Sequence, residues 1–496
     1  MWRCRSVRVP LRQRWLSVCG FSTGSLGGKT TLAPVKLYVI AGEASGDAIG
    51  AKVIRALQRH CPPQTLEFRG IGGPQMCEAG DFASLFPMQE LSVMGLLEVV
   101  PHIWRFQRRI QDTLRDIDAF QPELVLTIDS KGFTFRVLKA LQAKEHKAGG
   151  KRIKKAHYVA PSVWAYKHRG KRDFTELKQL LDAMFTILPF EEDIFRAGDE
   201  SSSLESTTCS SSTGKSWCHF VGHPAVEDFL EANGVYERGV PIAIGDLPDD
   251  VFEEEDDALL DLSTYDRNNL LARGRMFHTL SASGQEPSTR ARVREEFGIP
   301  SDVFVICALV GSRANEVKQS SKLIYVVFPT IAAVEEQVHA YICATAPGVK
   351  CRVLTDLDAQ ARLGLFQSSD AAVAVSGTIV LETTLASLPT VVIYRSNRLT
   401  EWIAKRLATV RFVSVPNLLL GKSLIPEVLF SDCSAPKIAE ALRILEHQPI
   451  EQRDSAQLAM AISTLTKWQE TTENRLQPIR ASDLVAKHLL NVLTGK

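Results

Sequence analysis

An alternation of strand and helix patterns that begins at residue 35 constrains the fold more than any other feature of the sequence. Residues 35–42 form an apolar run, and residues 47–60 place their apolar side chains on one face of a helix. Further strands are predicted at 122–128, 153–160, 183–188 and 217–221, and helices at 96–120 and 133–145. Such alternation predicts an α/β fold with a parallel sheet.

A second alternating region begins near residue 290, after a polar interruption. Its strands are predicted at 303–311, 338–344, 351–354, 371–375 and 389–393. The interruption contains a Ser- and Thr-rich stretch at 198–216 and a dense acidic run at 246–266, which predict a flexible loop and a solvated insertion. The expected division is a leader at 1–33, an α/β unit at 34–230, a low-order insertion at 231–290, a second α/β unit at 291–430 and a helical end at 431–496.

Charge and cysteine usage exclude several classes of protein. The net charge is +1, so no overall basic field attracts nucleic acid, and no nucleic-acid partner is expected. The ten cysteines include no C-x-x-C pair, which argues against a zinc cluster or a disulfide framework. We therefore expect a reducing compartment and buried thiols that act as small hydrophobes.

The first 33 residues differ from the rest of the chain. They contain five arginines between Arg3 and Arg14, whereas the first acidic residue is Glu43. An Arg-rich, acid-free, amphipathic start is typical of a transit peptide, although Pro10 weakens the helix and a basic tail is the alternative. The prediction is import into mitochondria, with plastids as the alternative.

Asp129 stands at the end of the apolar run 122–128, where α/β folds place ligand-binding groups. It is our candidate general base, and the alternative is a cap on the following helix. The glycine-rich loop 41–50 does not match G-x-G-x-x-G, and its acidic residues would repel a diphosphate. We expect it to bind a sugar or hydroxylated acceptor through Glu43, Ser45 and Asp47, unless it is a plain turn.

Two loops in the second unit resemble anion sites. Ser312 and Arg313 follow a strand, and the guanidinium of Arg313 matches a diphosphate. Ser376, Gly377 and Thr378 precede a predicted helix, whose N–H groups would face the same anion unless the hydroxyls only cap it. Glu382 on that helix is expected to bind ribose hydroxyls.

Two further stretches mix aromatic and basic residues. Residues 157–167 offer Ser162 and Trp164 as acceptor-binding groups. Residues 94–110 read as an interfacial helix or, alternatively, as an ordinary core helix. The expected membrane contacts are Leu97, Val100, Trp104 and Arg108.

Taken together, these stretches resemble the lipid-A-disaccharide synthase family of glycosyltransferases. The matching strings run in the family's order over most of 35–430, and they include AGEASGD, GIGGPQM, HYVAPSVWAYK, LPFE, FVGHP, GSRANEV, SGTIVLETTLA and VSVPNLLLGKSLIPE. The targeted leader resembles that of the plant members.

The resemblance implies two Rossmann-like domains facing a cleft, the GT-B glycosyltransferase arrangement. It implies transfer of 2,3-diacylglucosamine from UDP to 2,3-diacylglucosamine 1-phosphate by a peripheral membrane enzyme. It also implies that no cofactor and no metal are needed. Asp129 matches the family's proposed catalytic Asp, and Arg313 matches an Arg needed near the donor. Asn417 falls in the family's PN motif on the nucleotide side.

Departures from the family pattern leave alternatives open. Gly132 replaces a second carboxylate near Asp129, and the segment from Gly311 to Ser376 is shorter than the family's. One alternative is a UDP-sugar epimerase or another GT-B glycosyltransferase. The other is a catalytically degenerate lipid- or nucleotide-binding protein.

Overall fold

A computed structural model describes most of the chain from residue 33 onward. The described ranges are 33–91, 103–148, 152–166, 174–197, 216–238, 260–301, 303–309, 326–345, 350–396, 398–447, 452–470 and 476–495.

The first sheet is built from the first series of apolar runs. Among the described residues its strands are β1 Val35–Ala41, β2 Leu66–Ile71, β3 Leu124–Ile128, β4 Lys154–Tyr158, β5 Ala183–Thr186 and β6 Cys218–Phe220. They pair in the order β2-β1-β3-β4-β5-β6, and every pairing is parallel. Strand β3 is buried along its whole length, as expected for a sheet covered on both faces.

Helices cover both faces of this sheet. They are α1 Ala44–His60, α2 Pro74–Gly80, α3 Ile103–Phe120, α4 Lys131–Ala148, α5 Thr175–Leu180 and α6 Pro189–Ala197, with α7 Pro224–Ala232 and α8 Val235–Arg238 after β6. Side chains of β1 alternate between two cores: Leu37 and Val39 lie in one, and Tyr38 and Ile40 lie in the other. The apolar run therefore supplies both faces, because successive strand residues point to opposite sides.

The second sheet has the same plan. Its described strands are β7 Ile306–Leu309, β8 Val326–Thr330, β9 Arg352–Thr355, β10 Ala371–Val375, β11 Thr390–Tyr394 and β12 Glu427–Leu429. They pair in parallel in the order β12-β11-β10-β7-β8-β9. The predicted fold class of two Rossmann-like units is therefore confirmed, and the short segment before Ser376 still supplies strands to this sheet.

The helices of the second half follow in chain order. They are α9 Arg267–Ser283, α10 Pro287–Glu296, α11 Ala332–Thr345, α12 Ala359–Ser368, α13 Thr378–Leu385, α14 Arg398–Leu407, α15 Val415–Leu420, α16 Ala435–His447, α17 Gln452–Ser463 and α18 Ala481–Thr494. A hairpin of β13 Lys467–Glu470 and β14 Leu476–Ile479 precedes α18. Short 3₁₀ helices lie at Met88–Leu91, Val163–Ala165, Leu262–Thr264 and Phe430–Asp432.

The strand predicted at 338–344 is wrong, because these residues belong to helix α11. Val334 and Val338 are buried one helical turn apart in the same core. A short apolar run cannot by itself distinguish a buried strand from a buried helix. The strand of the sheet comes instead from β8, which the sequence pattern did not predict.

Part of the range expected to be a low-order insertion is helical. Helix α9 packs against α17, and an added Cβ at Gly274 would lie 2.5 Å from Cγ of Met460. The two helices approach this closely because position 274 has no side chain. Most of the acidic run lies outside the described residues.

The last helix returns to the first unit. Val485 and Leu489 of α18 are buried in the same core as Leu37 of β1. The backbone N–H and the hydroxyl of Ser482 donate to the buried carboxylate of Glu227, at 2.9 and 2.6 Å. The last helix of the end expected at 431–496 therefore belongs to the core of the first unit.

Candidate active site

The carboxyl edge of the first sheet brings together three loops that are distant in sequence. Ala41 pairs with Ile128, and Ile128 pairs with Tyr158. Because the strands are parallel, Gly42 and Asp129 are the next residues of neighbouring strands and lie side by side. The edge therefore places Asp129 next to the glycine-rich loop, where the sequence predicted a binding crevice.

The backbone at this edge is strained. Asp129 and Ser130 both have a φ of 48°, and Val159 at the end of β4 has a φ of 69°. Residues other than glycine in this left-handed region cost about 1–3 kcal/mol each and cluster at functional sites. Hydrogen bonds hold the conformation, since Asp129 N donates to Tyr158 O at 3.0 Å and Val159 N donates to Phe185 O at 3.1 Å.

The carboxylate of Asp129 is half-buried, and no donor pairs with it among the residues that the structure describes. The backbone carbonyl of Ser130, not this side chain, receives the first N–H groups of α4, from Phe133 and Thr134. The structure therefore does not support the alternative of a helix cap. The carboxylate oxygens of Asp129 can therefore accept a proton or a hydrogen bond from a ligand.

Gly42 and Ser130 approach each other very closely. A Cβ added at Gly42 would fall 2.2 Å from the Oγ of Ser130. That hydroxyl is buried and has no hydrogen-bond partner among the described residues. Sequence reasoning missed this contact, which fixes the spacing between the glycine-rich loop and Asp129.

The three acceptor candidates of the loop at 41–50 have different surroundings. Ser45 is exposed, and Glu43 is half-buried at the start of α1. Asp47 is only 3% exposed, and its oxygens accept from the backbone N–H groups of Gly73, Gln75 and Met76 at 2.9–3.1 Å. Its carboxylate therefore holds the N-terminus of α2, which argues against acceptor binding.

Trp164 is held in place by the carboxylate of Glu191, a residue to which the sequence analysis assigned no role. The side chain is 9% exposed, and its indole N–H donates to Oε1 of Glu191 at 3.0 Å. Glu191 also accepts from the backbone N–H of Leu188, and burial raises its pKa to about 7. The string LPFE contained this signal, a carboxylate directly after an apolar run. Trp164 thus shapes the loop, whereas Ser162 remains half-buried.

The same loop touches the second unit. The Oγ1 of Thr409 donates to the carbonyl of Trp164 at 2.8 Å, and its N–H donates to Ala165 O at 3.1 Å. Tyr166 and Ala408 form an isolated antiparallel bridge. The loop 162–166 therefore joins the two units next to the edge that carries Asp129.

The loop at 376–378 is open at the carboxyl end of β10. Gly377 has a φ of 157°, and no described atom lies within 4 Å of an added Cβ. Thr378 is exposed at the first position of α13, while the hydroxyl of Ser376 donates to Val413 O at 3.3 Å. The first N–H groups of a helix lack internal partners, so this turn is suited to an anion.

Two other candidates on this side have protein partners. Glu382 accepts from the Nε of Arg362 at 2.6 Å, an ion pair that the sequence did not reveal. Asn417 is fully buried; its amide donates to Ile425 O at 2.8 Å and to Glu427 at 3.0 Å. These contacts argue for structural roles rather than direct contact with a nucleotide.

Several predicted residues lie outside the described part of the chain. They are Ser312 and Arg313 of the donor loop and Leu97 and Val100 of the membrane segment. Their roles remain predictions.

Helix α3 combines a core face with an exposed start. Ile110, Leu114 and Ile117 are buried against the sheet. Trp104, however, is 80% exposed, and Arg108 is exposed as well. The helix is therefore a core helix over most of its length, with an exposed aromatic and basic end. No helix of the described residues is both long and apolar enough to cross a membrane.

Comparison with known proteins identifies the family. A family model described as Lipid-A-disaccharide synthetase matches residues 37–233 and 264–477. A lipid-A-disaccharide synthase of Granulibacter bethesdensis is 33% identical over 422 residues, which cover 82% of this chain and 85% of the relative. A protein of Arabidopsis thaliana named "Probable lipid-A-disaccharide synthase, mitochondrial" is 32% identical over 438 residues, which cover 84% and 81%.

Among solved structures, UDP-GlcNAc 2-epimerase from Neisseria meningitidis bound to UDP-GlcNAc is 12% identical. The match covers 92% of this chain and 100% of that one with a TM-score of 0.47, which adds nothing to the sheet topology described above. The family model and the two relatives confirm the resemblance seen in the sequence, and the chain belongs to the lipid-A-disaccharide synthase family.

Proposed function

We propose that this protein transfers 2,3-diacylglucosamine from UDP to 2,3-diacylglucosamine 1-phosphate. The products are the β-1,6-linked lipid A disaccharide 1-phosphate and UDP. Family membership supports the reaction, and the observation that carries the assignment to this site is the carboxylate of Asp129. It stands at a strained sheet edge with no donor paired to it among the described residues.

In the proposed mechanism, transfer occurs in one displacement with inversion. The acceptor 6-hydroxyl oxygen bonds to the anomeric carbon while the bond from that carbon to the UDP oxygen breaks. The hydroxyl proton passes to Asp129, which acts as general base. UDP leaves with the bonding electron pair, and no external reductant or cofactor is involved.

The UDP is bound by the second unit. Gly377 and Thr378 offer an open helix start to the diphosphate, and Arg313 neutralises the charge that grows on the leaving group. Ser312 belongs to the same loop. Glu382 and Asn417 contribute indirectly, because their side chains fix α13 and the 417–427 segment through Arg362 and Glu427.

The acylated substrates reach the enzyme at a membrane surface. Trp104 and Arg108 at the exposed start of α3 support this, and we assign Leu97 and Val100 to the same contact. Residues 1–33 act as a mitochondrial transit peptide, as the name of the Arabidopsis relative suggests. Deleting them should abolish import and leave transfer intact; unchanged localisation would refute the assignment.

The decisive experiment is a transfer assay with UDP-diacylglucosamine and diacylglucosamine 1-phosphate, read by mass. Asp129→Asn should lower turnover by about 10² or more, the usual contribution of a general base. Asp118→Asn is a matched control, because Asp118 pairs with Lys144 on the outside of α3. Near-normal turnover of Asp129→Asn would reject the role of Asp129.

Gly132 favours one alternative, a binding protein without activity. It stands where the family has a second carboxylate, and its backbone carbonyl accepts from the guanidinium of Arg136 at 2.8 Å. Binding of UDP by the wild-type protein without any disaccharide product would favour this alternative. A product from non-acylated UDP-sugars would instead favour an epimerase or another GT-B glycosyltransferase.

A further inference from the structure

Helix α14 carries two exposed apolar side chains that the proposed reaction does not use. Trp402 is 60% exposed and Leu407 is 44% exposed. Burying an aromatic side chain of this size is strongly favourable, so its exposure suggests that it contacts something outside the described chain. These side chains are distinct from the membrane contact proposed above, because Trp104 lies on α3 of the first unit.

Basic residues are frequent in this helix and directly after it. Residues 398–411 contain four basic side chains and one acidic one. The acidic one, Glu401, is only 13% exposed, and it is engaged by Lys405 and by the hydroxyl of Ser431. Arg406 lies 5.8 Å from the Trp402 ring centre, so its charge stays beside the indole. The described surface of this helix therefore combines apolar and basic side chains.

The end of α14 lies where the two units meet. The helix follows β11, and the residue after its last turn, Ala408, bridges to Tyr166 of the first unit. Tyr166 is itself exposed and extends the aromatic surface. Because the loop 162–166 follows β4, which neighbours β3, this surface opens beside the edge that carries Asp129.

We propose that Trp402, Leu407 and Tyr166, with the basic rim of Lys405, Arg406 and Arg411, form a second membrane-binding surface. Its partner is a bilayer that contains anionic lipids. Aromatic side chains settle at the headgroup level, and basic residues beside them are attracted to anionic lipid. A second copy of the chain fits less well, because the basic rims of two such surfaces would repel each other.

This surface goes beyond the proposed reaction, because it concerns binding to the bilayer and not transfer. It also differs from the contact assigned to α3. Two anchors on different units would orient the opening between the units toward the lipid, so that an acylated sugar enters without crossing water. A single anchor at α3 would leave the second unit free to tilt away from the surface.

The test is sedimentation of the full chain with vesicles, without substrate. Vesicles of phosphatidylcholine with one third phosphatidylglycerol should bind the protein, and raised salt should weaken the binding. Trp402→Ala combined with Leu407→Ser should weaken it about tenfold or more. Lys405→Gln with Arg406→Gln should weaken it about fivefold per charge on anionic vesicles and hardly at all on pure phosphatidylcholine.

The matched control is Ile444→Ser, which removes an apolar side chain of similar exposure (45%) from α16. It should leave vesicle binding unchanged. Circular dichroism melting of each variant separates a local effect from unfolding. Vesicle binding of the Trp402/Leu407 variant at the wild-type level would overturn the proposal. If sedimentation equilibrium also showed a wild-type dimer that this variant no longer forms, the surface would instead bind a second copy of the chain.

A parallel transfer assay with detergent-dispersed substrates keeps the two proposals distinct. The Trp402/Leu407 variant should transfer at the wild-type rate in detergent and more slowly on vesicles. If the wild type shows no transfer but binds vesicles through Trp402, the proposed function fails and this surface stands. If the wild type transfers and vesicle binding is unchanged in the Trp402/Leu407 variant, the proposed surface is wrong and the proposed function stands.

Discussion

Replacing Gly42 by alanine tests whether close packing at the sheet edge positions Asp129. The new Cβ would lie 2.2 Å from Oγ and 2.8 Å from Cβ of Ser130. Cβ atoms essentially never approach other atoms within 3.0 Å. The ends of β1 and β3 must therefore move apart by about 1 Å, since the Cβ of the buried Ser130 is fixed to the backbone and cannot rotate away.

This movement sets the expected magnitudes. Overpacking of a buried contact lowers the free energy of unfolding by about 1–3 kcal/mol. Asp129 is the preceding residue and moves with Ser130, and a misplacement of about 1 Å lowers turnover about 10²-fold. UDP affinity should not change, because the loop at 376–378 lies on the other unit.

Two double variants separate the clash from other effects. Ser130→Ala removes the Oγ but leaves the Cβ at 2.8 Å, so Gly42→Ala/Ser130→Ala should recover only part of the loss. Ser130→Gly removes both atoms, and glycine tolerates the φ of 48° at that position. Urea unfolding and initial transfer rates measure both effects. Wild-type behaviour of Gly42→Ala, or no recovery in Gly42→Ala/Ser130→Gly, would refute the reasoning.

Three further predictions concern buried polar groups. Burial raises the pKa of Glu191 to about 7 from 4.5, so its stabilising effect is complete below pH 4.5 and is lost as the pH rises through 7. Glu191→Gln should flatten this slope, seen in denaturant unfolding at about pH 5 and about pH 8. Burial lowers the pKa of His488 to about 4, so this residue contributes to a loss of stability as the pH falls from 6.5 toward 4. His488→Phe should reduce that loss in melting curves across this range, while the other buried histidines still contribute to it. Asn417→Ala leaves backbone groups of Leu424 and Ile425 unpaired and should lower the free energy of unfolding by about 2–4 kcal/mol. The KM for the donor should not rise selectively. A selective rise would show that Asn417 contacts the nucleotide directly.

The position of Asp129 could be predicted because it depends on local sequence. An apolar run long enough for a buried strand ends at Ile128, and in a parallel sheet the next residue lies at the ligand-binding edge. The same argument placed Ser376 and Gly377 at the end of β10. The family resemblance then indicated the reaction, which the strand pattern alone does not specify.

The side-chain partners could not be predicted, because they come from distant parts of the chain. Asp47 receives its hydrogen bonds from Gly73 to Met76, and Glu382 pairs with Arg362 on another helix. A carboxylate looks the same in a sequence whether it faces a ligand or a helix end. The strand–helix error at 338–344 has a similar origin, because an apolar run of seven residues fits either periodicity.

Because α18 packs on the first unit, that unit can complete its folding only after the end of the chain has been synthesised. Leu37 near the start and Leu489 near the end share one core, so a sheet whose strands are complete by Phe220 still lacks part of its cover until the last residues arrive. During that interval the apolar side chains of the first sheet stay partly exposed on the nascent chain, and aggregation competes with folding. We therefore expect chaperones to assist this stage of folding until α18 has packed on the sheet.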